Sequence, residues 1–248
     1  MNKSTRPNYG IDAPLVQRRF LILGLTGIVA GLFLLLVDWG PNRLPPVVTI
    51  SLGMTLLWPG VSLFATAAVM FWGSKIGKLR LAHQIIADLG LRGEERVLDV
   101  GCGHGLMLIT AAKHLPTGKA TGLDLWQTED QAGNNPEATL ANARLEGVAD
   151  RIELKTGDAR QLPFPESAFD AVTSSWALHN IYDQAGREKA MREIARVLKP
   201  GGRAAILDIR HTRDYAHTLR GLGFEVKCHG PNFMFVIPSY WLLAAKPS

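Results

Sequence analysis

The sequence predicts an α/β domain built on a doubly wound, mostly parallel sheet of seven strands, preceded by a transmembrane helical hairpin. Three observations predict this arrangement: two long uncharged stretches near the N-terminus, alternating strand-like and helix-like segments after residue 78, and a glycine turn behind the first strand. The 248 residues suffice for one such domain and an appendage.

Two apolar stretches, residues 20–37 and 47–72, contain no charged side chain. As helices, both are long enough to cross the hydrocarbon core of a bilayer, which is about 30 Å thick. Only a short turn, residues 38–46, separates them, so a hairpin of two spans is expected. Two alternatives are open: buried helices of a soluble protein, which the lack of a polar face disfavours, and a signal peptide in the first stretch, which no obvious small-residue cleavage site follows.

Basic residues flank the hairpin on both sides. They are Lys3, Arg6, Arg18 and Arg19 before it, and Lys75, Lys78 and Arg80 after it. The turn carries only Arg43, set against Asp38, so the positive-inside rule predicts that both ends face the cytoplasm. We expect an integral membrane protein with a cytoplasmic N-terminal segment (1–19), a basic juxtamembrane linker (73–78) and a cytoplasmic α/β domain (79–248).

The charge balance and the cysteine count exclude several classes of protein. A net charge of +5 suits contact between the basic flanks and anionic lipid headgroups. No run of Lys and Arg with interleaved aromatic residues indicates nucleic-acid binding. The two cysteines, Cys102 and Cys228, exclude a disulfide framework, and no His or Cys pair has the spacing of metal ligands, so no metal is expected.

Each element after the hairpin has its own local signal. Apolar residues at helical spacing predict a leading helix over 79–91, and the β-rich run 96–100 predicts the first strand, with a helix over 106–115 after the glycine turn. Asn135 is a suitable cap for a later helix, and Pro200 stops another. The remaining predictions are helices over 136–148, 187–198 and 214–224, and strands over 119–125, 151–158, 169–175, 203–210, 225–229 and 240–246. Such alternation implies right-handed crossovers, with ligands bound at the carboxyl ends of the strands.

The glycine turn contains Gly101, Gly103 and Gly105 in the pattern G-x-G-x-G. Glycines let a ligand approach the backbone closely, and the helix that follows presents free N–H groups to an anionic group. The pattern differs from the dinucleotide fingerprint G-x-G-x-x-G, so the turn alone is a weak signal.

Acidic residues at the strand ends strengthen the signal of the turn. Asp124 ends the second strand, 23 residues after Gly101, where its carboxylate can accept hydrogen bonds from both hydroxyls of a ribose. Asp158 ends the third strand, where an adenine ring would lie. Asp99 lies inside the first strand and either orients the turn or contacts an amino group of the ligand. Together these residues predict a site for an adenosine-containing cofactor.

A family resemblance rests on four segments: VLDVGCGHG, GLDL, DRIELKTGDARQLPFPESAFDAVTSSWALHN and EIARVLKPGGRAAILD. Over residues 79–248 the sequence resembles the class I S-adenosylmethionine-dependent methyltransferases, in particular the group that includes small-molecule, quinone and lipid methyltransferases. The resemblance implies a Rossmann-like methyltransferase fold, S-adenosyl-L-methionine as cofactor and a small-molecule or lipid-like acceptor. The cofactor-binding residues that it implies are Asp99, Gly101, Cys102, Gly103, Gly105, Asp124, Leu125, Asp158, Ala159 and Ser175.

One segment departs from the family pattern. Residues 127–135 are longer and more polar than the usual connection after the acid equivalent to Asp124. Two roles are open for this segment: a loop over the site or a contact with the substrate. Trp126 still follows Asp124 closely enough to cover the adenine.

Candidate catalytic residues follow the fourth strand, in SSWALHNIYD. Methyl transfer from a sulfonium is an in-line displacement that requires mainly positioning, so a general base is needed only if the acceptor must lose a proton. His179 is the candidate base, and packing against the following helix is the alternative role. The candidate substrate contacts are Trp176, Asn180, Tyr182 and His211.

Two other functions are open. A non-catalytic membrane module that binds S-adenosylmethionine would keep the glycine turn and the acids without turnover. A nucleotide-dependent oxidoreductase shares the turn and Asp124, but LKPGG before the fifth strand and PFPESAFD before the fourth are not expected there. The sequence indicates neither the accepting atom nor the oligomeric state.

Overall fold

The computed structural model describes residues 6–37, 45–127, 133–233 and 237–248. Within them the chain divides into two compact units. They are a helical unit within residues 11–77 and an α/β unit of residues 6–10, 78–233 and 237–248. The predictions for Lys3, for residues 38–44 of the turn and for residues 128–132 of the polar segment fall outside the described residues.

The helical unit consists of α1 (Pro14–Leu36) and α2 (Pro46–Trp72), followed by a π-helical turn at Gly73–Gly77. α1 begins six residues before the predicted span, because Pro14 suits the first helical turn. The residues of the predicted juxtamembrane linker, 73–78, are helical: they form the π-helical turn and the first residue of α3 (Lys78–Leu89). These six residues include no proline that would end the helix.

A glycine seam joins α1 to α2. It consists of Gly24 and Gly31 on α1 and Gly53 and Gly60 on α2, all of them buried. A Cβ atom on Gly60 would lie 2.7 Å from the backbone N of Ile28, and one on Gly24 would lie 2.7 Å from the backbone N of Phe64. Small residues permit such close approach of two helices, as in membrane-embedded helix pairs.

Two helical stretches are long and apolar enough to cross a membrane, by length and composition: Pro14–Leu36 and Pro46–Leu89. Of the most apolar 18 residues in each stretch, 11% are buried, whereas the core helix of a soluble protein is mostly buried. Large exposed side chains on these helices include Leu36, Val47 and Trp58. The helical unit therefore presents an extensive apolar surface.

The α/β unit contains a seven-stranded sheet in the order β3-β2-β1-β4-β5-β7-β6. The strands are β1 (Arg96–Val100), β2 (Lys119–Asp124), β3 (Ile152–Thr156), β4 (Phe169–Ser175), β5 (Leu198–Asp208), β6 (Glu225–Asn232) and β7 (Ser239–Ala245). β7 runs antiparallel to β5 and β6, and the other neighbours are parallel. The predicted doubly wound, mostly parallel fold is confirmed. The strand order reverses between β1 and β4, which is where such sheets bind ligands.

Helices pack on both faces of the sheet. Besides α3, they are α4 (Leu106–Lys113), α5 (Pro136–Leu145), α6 (Gln184–Val197) and α7 (Thr212–Gly221), with 3₁₀ turns at Ala149–Arg151 and Leu178–Asn180. One face buries Leu98 and Val172, which are register partners, in a cluster that includes Met191 of α6 and Leu219 of α7. Asp99 follows Leu98 and therefore faces the opposite side, toward α4.

Two of the boundaries that differ from the prediction have a local cause. β5 begins at Leu198 and not at residue 203, because the LKPGG segment stays beside β4 through a bulge in the pairing. α6 begins at Gln184, because the Asp183 side chain caps the helix by accepting a hydrogen bond from the Gly186 N–H (2.6 Å).

Candidate functional site

The glycine turn joins β1 to α4 and requires glycine for two reasons. Gly101, Gly103 and Gly105 have φ angles of 73°, 49° and 85°, in the left-handed region that favours glycine. A Cβ atom on Gly101 would also collide with the Cβ of Ala177, and one on Gly105 would lie 2.8 Å from Cγ2 of Thr139. Backbone conformation and close neighbours thus both exclude larger residues.

The Asp124 carboxylate, at the end of β2, connects three segments. It accepts hydrogen bonds from the N–H of Gly103 (2.8 Å), the N–H of Trp126 (2.7 Å) and Nδ2 of Asn134 (3.1 Å). A carboxylate accepts about four hydrogen bonds, so Asp124 has room for a further donor. Sequence reasoning missed Asn134, which is 5% exposed and whose Oδ1 has no hydrogen-bond partner among the described residues. A ligand hydroxyl beside Asp124 would satisfy this buried acceptor.

Asp99 is buried beneath the turn. Its carboxylate accepts hydrogen bonds from the Thr173 hydroxyl (2.8 Å) and from the N–H of Leu108 in α4 (3.0 Å). Burial raises the pKa of Asp99 to about 7, against the lowering effect of these two hydrogen bonds. Because both oxygens bind the protein, the contacts favour the first of its two predicted roles, orientation of the turn.

Four further predicted cofactor residues lie at the same edge of the sheet. Cys102 is buried within the turn, and burial raises the pKa of its thiol. Leu125 follows β2 and is 47% exposed, while Ala159 and Ser175 are partly buried after β3 and at the end of β4. Their contacts with a cofactor stay predictions.

Asp158 is paired with a neighbouring arginine. Arg160 donates to both carboxylate oxygens, from Nε to Oδ1 (3.0 Å) and from Nη2 to Oδ2 (2.6 Å). These hydrogen bonds lower the pKa of Asp158. The pair lies on a surface cavity of about 450 Å³ whose lining also includes Asp183 and Lys189. The predicted contact with an adenine amino group would require Asp158 to bind a ligand in addition to Arg160.

His179 and Asp208 form a hydrogen-bonded pair at the ends of β4 and β5. His179 Nδ1 lies 2.6 Å from Oδ1 of Asp208, and the His179 backbone N–H donates to Oδ2 of the same carboxylate (3.1 Å). Asp208 is fully buried and also accepts from the N–H of Ile209 (2.8 Å) and the hydroxyl of Tyr215 (3.3 Å). Burial raises the pKa of that Tyr215 hydroxyl, so it stays a donor.

This pairing assigns the proton on His179. A carboxylate only accepts hydrogen bonds, so Nδ1 carries the proton and Nε2 is left as the basic nitrogen. About 20% of the His179 side chain is exposed. Sequence reasoning missed Asp208, although an acid at the end of β5 follows the same rule that identified Asp124.

The residues around this site match known proteins. Residues 98–206 match a family model described as "Methyltransferase domain". Residues 98–206 of this chain therefore carry a methyltransferase domain, and this match supports the class I S-adenosylmethionine-dependent family. The predictions of a methyltransferase and of its fold are confirmed, and the methyltransferase match supports S-adenosylmethionine as the cofactor.

Curated relatives align with this methyltransferase domain. The demethylmenaquinone methyltransferase of Symbiobacterium thermophilum is 37% identical over 127 residues, covering 51% of this chain and 47% of the relative. The enzyme of that name from Staphylococcus aureus (strain JH9) is 32% identical over 164 residues, covering 66% of this chain and 60% of the relative. Methyltransferase GfsG of Streptomyces halstedii is 35% identical over 147 residues, covering 58% and 49%. The chain thus spans about half the length of the curated relatives it matches.

Solved structures share the fold of the domain. A geranyl diphosphate methyltransferase in complex with SAM superposes with a TM-score of 0.56 at 16% identity, covering 77% of this chain and 92% of that chain. The [4+2]-cyclase SpnF superposes with a TM-score of 0.55 at 23% identity, covering 70% and 82%. Identities this low support the fold alone, and a cyclase among these structures illustrates that the fold does not fix the reaction.

The predicted substrate contacts occupy different environments in the methyltransferase domain. Trp176 precedes the 3₁₀ turn that holds His179, Asn180 is the last residue of that turn, and both are partly buried. Tyr182 is 98% exposed, so its side chain is not part of a buried site. His211 is the N-cap residue before α7, and its Nδ1 lies 3.3 Å from Oδ2 of Asp214 in the first turn of that helix. Within the described residues, no group of three or more His, Cys, Asp or Glu could hold a metal ion.

Proposed function

We propose that this chain is a membrane-anchored methyltransferase that transfers a methyl group from S-adenosylmethionine to a small, lipid-like acceptor of the quinone class. The observation that carries the proposal is that the glycine turn with Asp124 and the His179–Asp208 pair share the carboxyl edge of one sheet. β1 and β4 are direct parallel neighbours, so the segments that follow them start from the same edge.

The domain has suitable groups for the cofactor. The free acceptor capacity of Asp124 and the buried Oδ1 of Asn134 fit the ribose hydroxyls. The family resemblance implies that the glycine turn contacts the methionine part, and the left-handed glycines keep side chains out of that contact.

The chemistry divides between the cofactor and the chain. When bound, S-adenosylmethionine supplies an electrophilic methyl group on a sulfonium. The chain holds the acceptor in line with that group, and positioning can supply about 7–11 kcal/mol of the barrier. Nε2 of His179 takes the proton of a hydroxyl on the reduced, quinol form of the acceptor as that oxygen bonds to the methyl carbon, and buried Asp208 stabilises the imidazolium that forms. The proton then leaves to water.

Three observations support the membrane anchor and its orientation. The apolar residues of α1 and α2 are largely exposed, and basic residues flank the helix pair at its two outer ends in the sequence. Residues 8–10, which precede α1, are hydrogen bonded to the domain that follows α2. These hydrogen bonds support a topology in which both ends of the helix pair lie on one side of the membrane. The positive-inside rule favours the cytoplasmic side for the N-terminus and for the catalytic domain.

The membrane also favours a particular acceptor class. Two of the relatives are demethylmenaquinone methyltransferases, and quinones with lipid tails concentrate in bilayers. An anchored site meets such an acceptor at a high effective concentration.

The first experiment is calorimetric titration of the detergent-solubilised protein with S-adenosylhomocysteine. Wild type should bind, and Asp124→Ala should lose most of the affinity. Glu153→Ala is the matched control, because it removes an exposed carboxylate from β3. A folded wild type that does not bind would contradict the proposal.

The second experiment tests turnover with labelled S-adenosylmethionine and quinol-containing lipid extracts. Label should enter a lipid-soluble product in an Asp124-dependent way. Cofactor binding without methylation of any extract component would favour the non-catalytic module instead.

A further inference from the structure

The segment before α1, residues 7–10, is built into the methyltransferase domain and is here named the N-terminal segment. The Asn8 N–H donates to Oδ1 of Asn142 in α5 (2.8 Å), and Nδ2 of Asn142 donates back to the Asn8 carbonyl (3.0 Å). The Tyr9 hydroxyl donates to Oε1 of Glu146, which follows α5 (3.1 Å). Three hydrogen bonds therefore attach the segment to α5 and to the residue that follows it.

Lys78 holds the other side of the N-terminal segment. Its Nζ donates to the carbonyls of Tyr9 (2.9 Å) and Gly10 (3.0 Å). Lys78 is the first residue of α3 and only 6% exposed. A buried ammonium group is costly unless it is hydrogen bonded, so these carbonyls are held firmly.

Asn142 connects the N-terminal segment to the cofactor site. It is 4% exposed, and Nδ2 also donates to the carbonyl of His104 (2.9 Å). His104 lies between Gly103 and Gly105 of the glycine turn. One turn of α5 earlier, the Thr139 hydroxyl donates to the Gly103 carbonyl (2.6 Å). α5 thus fixes two successive carbonyls of the turn.

We propose that the N-terminal segment is a positioning element of the cofactor site, acting from Lys78 through Asn8 and Asn142 to the carbonyl of His104. Asn142 is the positioning residue, because the segment supplies two of its three side-chain hydrogen bonds. This inference rests on the proposed function, in which the glycine turn binds S-adenosylmethionine. In consequence, the chain that enters α1 is part of the structure that sets cofactor affinity.

The test is a double-mutant cycle on the full-length protein in detergent, with S-adenosylhomocysteine as the calorimetric probe. Lys78→Met keeps the side-chain length and releases the segment, and Asn142→Ala removes the connection. Each variant should raise Kd by roughly three- to ten-fold, the effect of one or two hydrogen bonds. The double variant should bind no more weakly than Asn142→Ala alone, because both changes interrupt one pathway. Lys78→Arg keeps a donor and should restore most of the affinity.

The outcomes separate this inference from the proposed function. Wild type that does not bind the probe contradicts the function itself. Wild type that binds, with an unchanged Kd and a lower unfolding temperature for Lys78→Met, overturns the inference and makes the segment merely structural. Fully additive effects in the double variant also overturn it. If Lys78→Met does not fold, Tyr9→Phe removes only the hydroxyl that bonds Glu146 and should raise Kd roughly two-fold.

Discussion

Glycine serves opposite purposes in the two units of this chain. The seam glycines of α1 and α2 are helical and buried, and a Cβ on Gly24 or Gly60 would meet backbone of the facing helix at 2.7 Å. The glycines of the cofactor turn, such as Gly101, have left-handed backbones. The seam therefore depends on the size of the residue alone, and the turn depends also on backbone conformation. Substitutions in the seam should change stability, and those in the turn should change cofactor binding.

The chemistry of the two units differs in the same way. Residues 11–77 contain no His, Cys, Tyr or Glu, whereas the α/β unit places polar side chains at the ends of consecutive strands. Loss of activity without loss of stability should therefore come only from the α/β unit.

The largest effect on activity is expected from His179→Ala. Removal of the proposed base should lower kcat by about 100- to 10,000-fold, measured as transfer of labelled methyl groups to the lipid-soluble acceptor. The Kd of S-adenosylhomocysteine should stay within about two-fold of wild type, because the base acts on the acceptor. His217→Ala is the control, an exposed histidine on α7. A wild-type kcat for His179→Ala would mean that its pairing with Asp208 is structural.

The next largest effect is expected from a glycine of the cofactor turn, compared with a glycine outside it. Gly101→Ala should weaken binding of S-adenosylhomocysteine roughly 100-fold, because left-handed strain of about 1–2 kcal/mol adds to a collision with Ala177. Gly147→Ala is the matched control: its φ is 71°, and no described atom lies within 4 Å of the added Cβ. That variant should lose about 1 kcal/mol of stability and keep its Kd. Equal losses of binding in both variants would contradict a special role for the turn.

In the helical unit, Gly60→Ala should lower stability and leave binding unchanged. The added Cβ would lie 2.7 Å from the Ile28 backbone N, and overpacking of this kind costs about 1–3 kcal/mol. Thermal unfolding followed by circular dichroism in detergent measures the loss, and calorimetry measures the Kd. Ala68→Val, on an exposed position of α2, is the control. If Gly60→Ala changed the Kd markedly, cofactor binding would depend on the packing of the helical unit, which would contradict this prediction.

The features that the sequence predicted are those with local signals. The strands at 96–100 and 169–175 match the predicted bounds, because short β-rich runs lie between glycine or loop residues. Asp124 was found because an acid at a fixed distance from a glycine turn has a known use. The apolar helices were found from composition alone.

The features that it did not predict depend on contacts between distant residues. Asp208 binds His179 across 29 residues, and Asn8 binds Asn142 across 134, so no local pattern links either pair. The antiparallel insertion of β7 between β5 and β6 likewise depends on pairing that short runs do not encode. Tyr182 was a candidate from its position in the sequence, but its orientation depends on the 3₁₀ turn before it.

The last predicted effect is a gradual dependence of stability on pH, and it also separates the two units. Burial raises the pKa of Asp99 from 3.8 to about 7, so the folded domain holds a proton that the unfolded chain releases. Between these values the unfolded state binds fewer protons, and the free energy of unfolding falls as pH rises, by at most about 1.4 kcal/mol per pH unit. Above about pH 7 this contribution should become constant.

The variant Asp99→Asn isolates this effect. Its lost hydrogen bond to an N–H or hydroxyl lowers the free energy of unfolding by the same amount at every pH. Only the slope of that free energy against pH depends on the titration of Asp99. Glu193 and Asp170 have lowered pKa values, so they make the free energy of unfolding increase as pH rises through the acidic range. This contribution is the same in wild type and in Asp99→Asn. Urea unfolding at pH 5, 6 and 7 should therefore show wild type losing stability relative to the variant at each step. Parallel profiles would mean that Asp99 is ionised in the folded domain throughout, with the positive end of α4 offsetting its burial.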